Sequence, residues 1–188
     1  MHYDKLDNEE LLFVALDAIN GRRHGEAIAL LKDLLDREPD HDEAKYLIAA
    51  QHAQIGMGER AESELRSLLD EKPGFVLARF QLGQLLLMRG SMADVVEILA
   101  PLRDGVDPVA AYARGLSSYA QGQPEAAVRH MEEGLALPQP LPAIADDMRA
   151  FHTYLLQLVK GASVPDVAAS EQITPASRMR IAGYGLGE

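Results

Sequence analysis

A chain of 188 residues with 47% hydrophobic content is long enough to bury a sizeable core, and its 29 acids against 18 bases leave a formal net charge of -11. That balance argues against nucleic-acid binding, which needs clustered Lys and Arg that such a surface would oppose. Cysteine is absent, so disulfides, thiolate nucleophiles and Cys metal sites are excluded.

In chain order, Asp7 followed three residues later by Glu10 has the spacing of a capping box and opens the first helix. Leu11, Val14, Ala15 and Ala18 recur at helical spacing until Asn20-Gly21, and a second helix carries Ala27, Leu31, Leu34 and Leu35 to Pro39. Asp40 and Glu43 repeat the capping spacing. Ile48, Ala49 and His52 then lead to Gly56, and Ala61, Leu65, Leu68 and Leu69 lead to Pro73. A third unit runs through Leu82, Gly83 and Leu86, breaks at Gly90 with Ser91 as the expected cap, and carries Val95, Leu99 and Leu102 to Asp107-Pro108. The fourth runs Ala111, Gly115 and Ser118 to Gly122, then Ala127, Met131 and Leu135, ending in the cluster Pro138, Pro140, Pro142.

Gly56, Gly90 and Gly122 stand 34 and 32 residues apart, and seven residues before each lies a small residue, Ala49, Gly83 or Gly115. The period is that of one helical hairpin. With Ala15, Ala49, Gly83 and Gly115 where two helices cross, Ala27, Ala61 and Ala127 early in the second helix, and Pro at the exit, residues 8–138 resemble the tetratricopeptide repeat family. The chain departs from the family pattern in having no Trp, in His52 where Tyr is usual and in Arg114 where an apolar residue is usual.

The resemblance implies an all-α, tetratricopeptide-type α-solenoid of about four helical hairpins plus a C-terminal capping helix. The expected repeat domain covers 1–160, with units near 8–41, 42–75, 76–107 and 108–141 and a capping helix at 142–160. In that last stretch Ile144, Met148, Phe151, Leu155 and Leu158 draw one apolar stripe, as a helix closing the raw end of a solenoid requires. Residues 161–188 lack sustained period and read as a flexible or docking tail. Within it Arg178-Met179-Arg180-Ile181 alternates charged and apolar residues ahead of Tyr184, a pattern suited to an extended segment docking on a repeat surface.

In the family, the first helices of successive hairpins line a concave face that holds ligands. The resemblance carries this role to Phe13 and Leu16, to Tyr46 and Leu47, to Phe80, Gln84 and Leu87, and to Tyr112, Leu116 and Tyr119; Leu12, Ala50, Gln81 and Ala113 share these turns. Tyr46, Phe80 and Tyr112 repeat with the unit, and two readings are open for them: anchors for an apolar ligand, or packing between adjacent helices. The family's carboxylate clamp is missing, since Leu12, Leu16, Leu47, Ala50 and Gln81 stand at its basic and amide positions. Lys45 and Arg79, 34 apart, are candidates to flank an acidic ligand residue or to be solvated rim charges.

Six histidines show no pair at metal-ligand spacing, Asp40-His41-Asp42 sits at a helix start where acids cap amides, and no catalytic signature occurs. We expect no enzyme, no metal and no cofactor. The expected function is a protein-interaction module, an adaptor or chaperone holding an apolar segment of a partner protein or peptide in a concave groove. The alternative is a homo-oligomeric assembly scaffold subunit of a larger complex, with a homodimer as its simplest form. Four acids and one Lys among the first ten residues are unlike a signal-peptide start, and no apolar stretch nears membrane-spanning length, so the expected location is cytoplasmic, without membrane insertion.

Overall fold

Helix follows helix through residues 5–161, the part of the chain that the structure, a computed structural model, describes. The candidate docking residues Arg178, Met179, Arg180, Ile181 and Tyr184 lie outside the described residues. Two compact units divide the described chain, one ending at Ala78 and the other beginning at Arg79. The first holds α1 (Asn8–Asn20), α2 (His24–Arg37), α3 (Asp42–Gln54), α4 (Gly58–Glu71) and the opening residues of α5 (Val76–Met88). The second holds the rest of α5, α6 (Met92–Leu99), a 3-10 turn (Ala100–Leu102), α7 (Pro108–Ala120), α8 (Pro124–Ala136) and α9 (Pro142–Val159).

Inside the first unit each helix packs on its chain neighbour, α1 on α2, α2 on α3 and α3 on α4. Its core is one apolar stripe per helix: Leu11, Ala15, Ala18 and Ile19; Ala27, Leu30, Leu31 and Leu34; Ala61, Leu65, Leu68 and Leu69. In α3 burial extends from Tyr46 through His52 on every side. The second unit repeats the scheme, α6 on α7, α7 on α8 and α8 on α9. There α9 buries Ile144, Met148, Phe151 and Leu155 of the apolar stripe read from the sequence, while Leu158 at its end is half-buried.

The turn within each hairpin is built the same way four times. The N–H groups of Arg23, Met57, Ser91 and Gln123 donate to the carbonyls of Ala18, His52, Leu86 and Ser118 at 2.8 to 3.0 Å. This is the six-to-one closure of a helix ending in a left-handed residue. Gly56, Gly90 and Gly122 take the left-handed place with φ of 82°, 77° and 73°. In the first hairpin the place falls to Arg22, at φ 55°, one residue beyond the Gly21 that the sequence marks as the break. A left-handed non-glycine costs about 1–2 kcal/mol, against about 0.5–1 for the extra unfolded freedom of glycine. Arg22→Gly is therefore expected to stabilise the protein by about 0.5–1 kcal/mol, read as a higher midpoint in urea unfolding. An unchanged or lower midpoint would show that Arg22 carries no such strain.

Three local expectations are corrected. Asp40 does not cap α3: His41 occupies the N-cap and its Nδ1 accepts from the Ala44 N–H at 3.3 Å, because the helix begins at Asp42 and places Asp40 one residue too early. Ser91 stands at the N-cap of α6, yet its side chain makes no capping bond: at ψ 64° its backbone is not in the extended form that Asp7 and Asp107 adopt when they cap. The second helix of the third hairpin stops at Leu99 and tightens into a 3-10 turn instead of running on past Leu102, since Pro101 has no N–H to continue the ladder. By contrast, Asp7 and Glu10 form the full capping box, each carboxylate accepting the other's N–H at 2.9 Å. Asp107 caps α7, accepting from the Ala110 N–H at 3.0 Å, with Pro108 in the first turn.

Candidate partner-binding face

The small residues placed at helix crossings set how closely the two helices of a hairpin approach. A Cβ added to Gly83 would lie 2.5 Å from Leu99 Cδ2, and one added to Gly115 would lie 2.6 Å from Met131 Cε. The candidate ligand face comprises the residues two and three positions before each crossing and one after it.

In the first unit that face carries Phe13, 73% exposed, between half-buried Leu12 and Leu16. One hairpin on, Tyr46, Leu47 and Ala50 are buried, and the Tyr46 ring lies 5.5 Å from that of Phe75 at 34°. Lys45 beside it is held by Glu71 at 2.5 Å, a bond that raises its ammonium pKa, and Lys72 pairs with Asp42 at 3.0 Å. The Lys45 ammonium is thereby committed within the α3–α4 hairpin.

In the second unit Phe80, Gln81, Gln84 and Leu87 on α5 and Tyr112, Ala113 and Leu116 on α7 are all buried. Tyr112 packs inside its own hairpin. Its ring fills the space a side chain at Gly134 would need, with Cδ1 2.7 Å from the position of that missing Cβ, and its hydroxyl donates to Gln139 Oε1 at 2.9 Å. The Gln139 amide in turn donates to the carbonyls of Gly134 and Leu137 at 2.8 and 2.6 Å, closing the end of α8. Tyr119 turns toward α9: its ring meets Phe151 edge-on at 5.3 Å and Tyr154 at 6.2 Å, and its hydroxyl lies 3.4 Å from that of Tyr154. Burial, followed by that hydroxyl contact, pushes the Tyr119 pKa up.

Gln81 and Gln84 stand out chemically. Both are wholly buried, and none of their four amide atoms has a hydrogen-bond partner among the described residues. A polar group shut away from water without a partner costs about 1–3 kcal/mol. Gln51 differs: its Oε1 lies 2.8 Å from His24 Nδ1, and only its Nε2 is unpaired.

Two of the departures from the family pattern, His52 and Arg114, have local explanations. Buried His52 places Nδ1 2.6 Å from Glu64 Oε2 on α4, so the histidine has a polar partner in place of an aromatic neighbour. Arg114 reaches back to the carbonyls of Arg103 and Gly105 at 2.8 and 3.0 Å and to Glu133 at 3.6 Å, bracing the loop after the 3-10 turn. Arg79 likewise donates to the Ile98 carbonyl at 3.4 Å. Among the described residues no group of three His, Asp or Glu side chains is arranged to hold a metal, and no helix is long and apolar enough to cross a membrane.

Of these contacts, the sequence shows the repeated rings but neither Gly134 nor Gln139 as the partners of Tyr112. The signal that could have found Gly134 is a break in the repeat, since Leu34 and Leu68 occupy its place in the first two hairpins.

The tetratricopeptide repeat profile matches residues 21–74. No curated protein sequence matches the chain. Among solved structures, MamA (41-end) from Desulfovibrio magneticus RS-1 superimposes with a TM-score of 0.58 at 17% identity, over 83% of this chain and 97% of that one. The MamA RS-1 ArsTM double mutant gives 0.59 at 19% identity, over 82% and 85%. MamA MSR-1 C2 gives 0.53 at 14%, over 83% and 90%. These likenesses establish the all-α solenoid of helical hairpins as the fold.

Proposed function

We propose that this chain, a tetratricopeptide-repeat protein, is a cytoplasmic adaptor or chaperone that holds an apolar segment of a partner protein against the first helices of its hairpins. The repeat fold is a protein-interaction fold; the observation supporting the finer reading is charge. Leu12, Phe13 and Leu16, the half-buried and exposed members of that face in the first unit, carry no formal charge, in a chain where a quarter of all residues do. A face kept clear of acids on a protein of net charge -11 favours apolar side chains and uncharged main chain over basic ligands. Phe13 offers its ring outward and is the natural first anchor.

The test places a photo-crosslinking residue at position 13 and, as control, at exposed Lys32 on α2, then identifies trapped peptides by mass spectrometry. An apolar segment of one protein trapped from position 13 and not from 32 supports the reading. Phe13→Asp should then weaken that partner by about thirtyfold, the equivalent of about 2 kcal/mol for a lost anchor, with helicity unchanged because the ring is mostly in solvent. Equal trapping at both positions sinks the proposal. Trapping of a second copy of the chain supports instead the homo-oligomeric scaffold.

A further inference from the structure

We propose that the groove between the loop before α7 and the proline strap before α9 is a second docking site, which takes a partner segment carrying an aromatic residue beside Lys or Arg. The groove has a volume of about 490 Å³, with Val106 and Pro108 on one wall and Leu137, Pro138 and Pro140 on the other. Ligand clefts run from about 300 to 1,000 Å³. Val106 is 90% exposed and Leu137 36%, so these apolar groups are open to an incoming side chain. Both walls are pinned from α7. Arg114 donates to the carbonyls of Arg103 and Gly105, and Asp107 caps α7, which holds Val106 between two anchored ends. On the other wall Gln139 turns inward to Tyr112 and to the carbonyls of Gly134 and Leu137, while Pro138 and Pro140 stand exposed. An apolar side chain held in water by bonds on both sides is preorganised for contact, since its loop has little freedom left to lose on binding.

The strap selects the aromatic residue. Proline fixes its own φ and keeps the residue before it extended, so Leu137-Pro138-Gln139-Pro140 favours the polyproline II form, and Leu137 stands in it at φ -83°, ψ 160°. Prolines held in that form pack against aromatic rings, as Pro-rich segments do in aromatic-lined grooves. Here the prolines belong to the wall and the ring to the partner. Charge selects the base. Asp104 and Asp107 flank Val106, both exposed, and among the described residues neither forms an ion pair. Residues 103–108 and 132–140, which carry the two walls, hold four acids against one base, Arg103. Arg114 behind the loop lies 3.6 Å from Glu133, which offsets it. Exposed acids of this kind discriminate between partners more than they tighten a complex.

The experiment titrates the full chain, labelled with nitrogen-15, with two acetylated and amidated peptides, Gly-Arg-Gly-Trp-Gly-Arg-Gly and its counterpart with Glu in place of Arg. The expected result is a shift of the Val106 and Leu137 amide signals and of the Gln139 side-chain amide, with the Arg peptide binding about fivefold or more tightly than the Glu peptide. Added salt should narrow that difference. Val106→Ser with Leu137→Ser should weaken the Arg peptide about fivefold or more, with helicity unchanged because neither side chain is buried. Phe13→Asp should leave its affinity as it was. No shift at the groove, equal binding of the two peptides, or affinity indifferent to the Val106 and Leu137 changes would each overturn the proposal. Loss of binding in Phe13→Asp alone would overturn it too, while leaving the first-helix reading standing.

Discussion

Tyr112→Ala is expected to destabilise the protein by about 3–5 kcal/mol, the range for removing a large buried ring. The side chain is wholly buried, packs against Gly134 with no Cβ between, and ties α7 to the end of α8 through Gln139. Tyr112→Phe keeps the ring and loses one hydrogen bond, leaving Gln139 Oε1 without that donor, and should cost about 1 kcal/mol. Chemical unfolding of the two variants beside the parent separates packing from polar contributions. A Tyr112→Ala protein as stable as Tyr112→Phe would show that the ring contributes little to its hairpin, and would return it to the class of ligand anchors.

Gly83→Leu is expected to cost about 1–3 kcal/mol by overpacking. All three of the nearest atoms to an added Cβ belong to Leu99, at 2.5, 2.7 and 3.0 Å, and Leu99 branches too close to its own backbone to swing clear. Gly115→Ala should be milder, since the obstructing atom is the terminal Cε of Met131, which can adopt another rotamer. Gly90→Ala has no neighbour within 4 Å and loses only the left-handed allowance at φ 77°, about 1 kcal/mol. Thermal midpoints should fall in the order Gly83→Leu most, then the two alanine variants. A Gly83→Leu midpoint equal to that of Gly90→Ala would remove the crossing assignment from Gly83.

The hairpins are legible in the amino-acid sequence because the signals that build them are local. Helical spacing of apolar residues, the Asp7–Glu10 box, the left-handed glycines and the prolines all act within one turn or one connection, where a residue's chemistry limits the backbone almost by itself. Recurrence of these signals at hairpin period identifies the repeat class, because a stacked hairpin must solve the same packing problem each time. Where two residues compete for one local role, the same signals miss by one position. His41 caps α3 in place of Asp40, and Arg22 takes the left-handed place beside Gly21, because the first choice depends on where a helix starts and the second on where one stops, rather than on which residue is better suited.

What a ring or an amide on a first helix touches is not legible in this way. Tyr112, Tyr119 and Phe13 look alike in the repeat, yet one fills the space above Gly134, one meets Phe151 and Tyr154 on α9, and one stands in solvent. Their partners lie more than twenty residues away or are missing, and side-chain burial is decided by which helix arrives opposite. The same holds for Gln81 and Gln84, ordinary polar residues in the sequence. Only tertiary packing removes them from water without supplying partners, because burial depends on which helices arrive opposite α5.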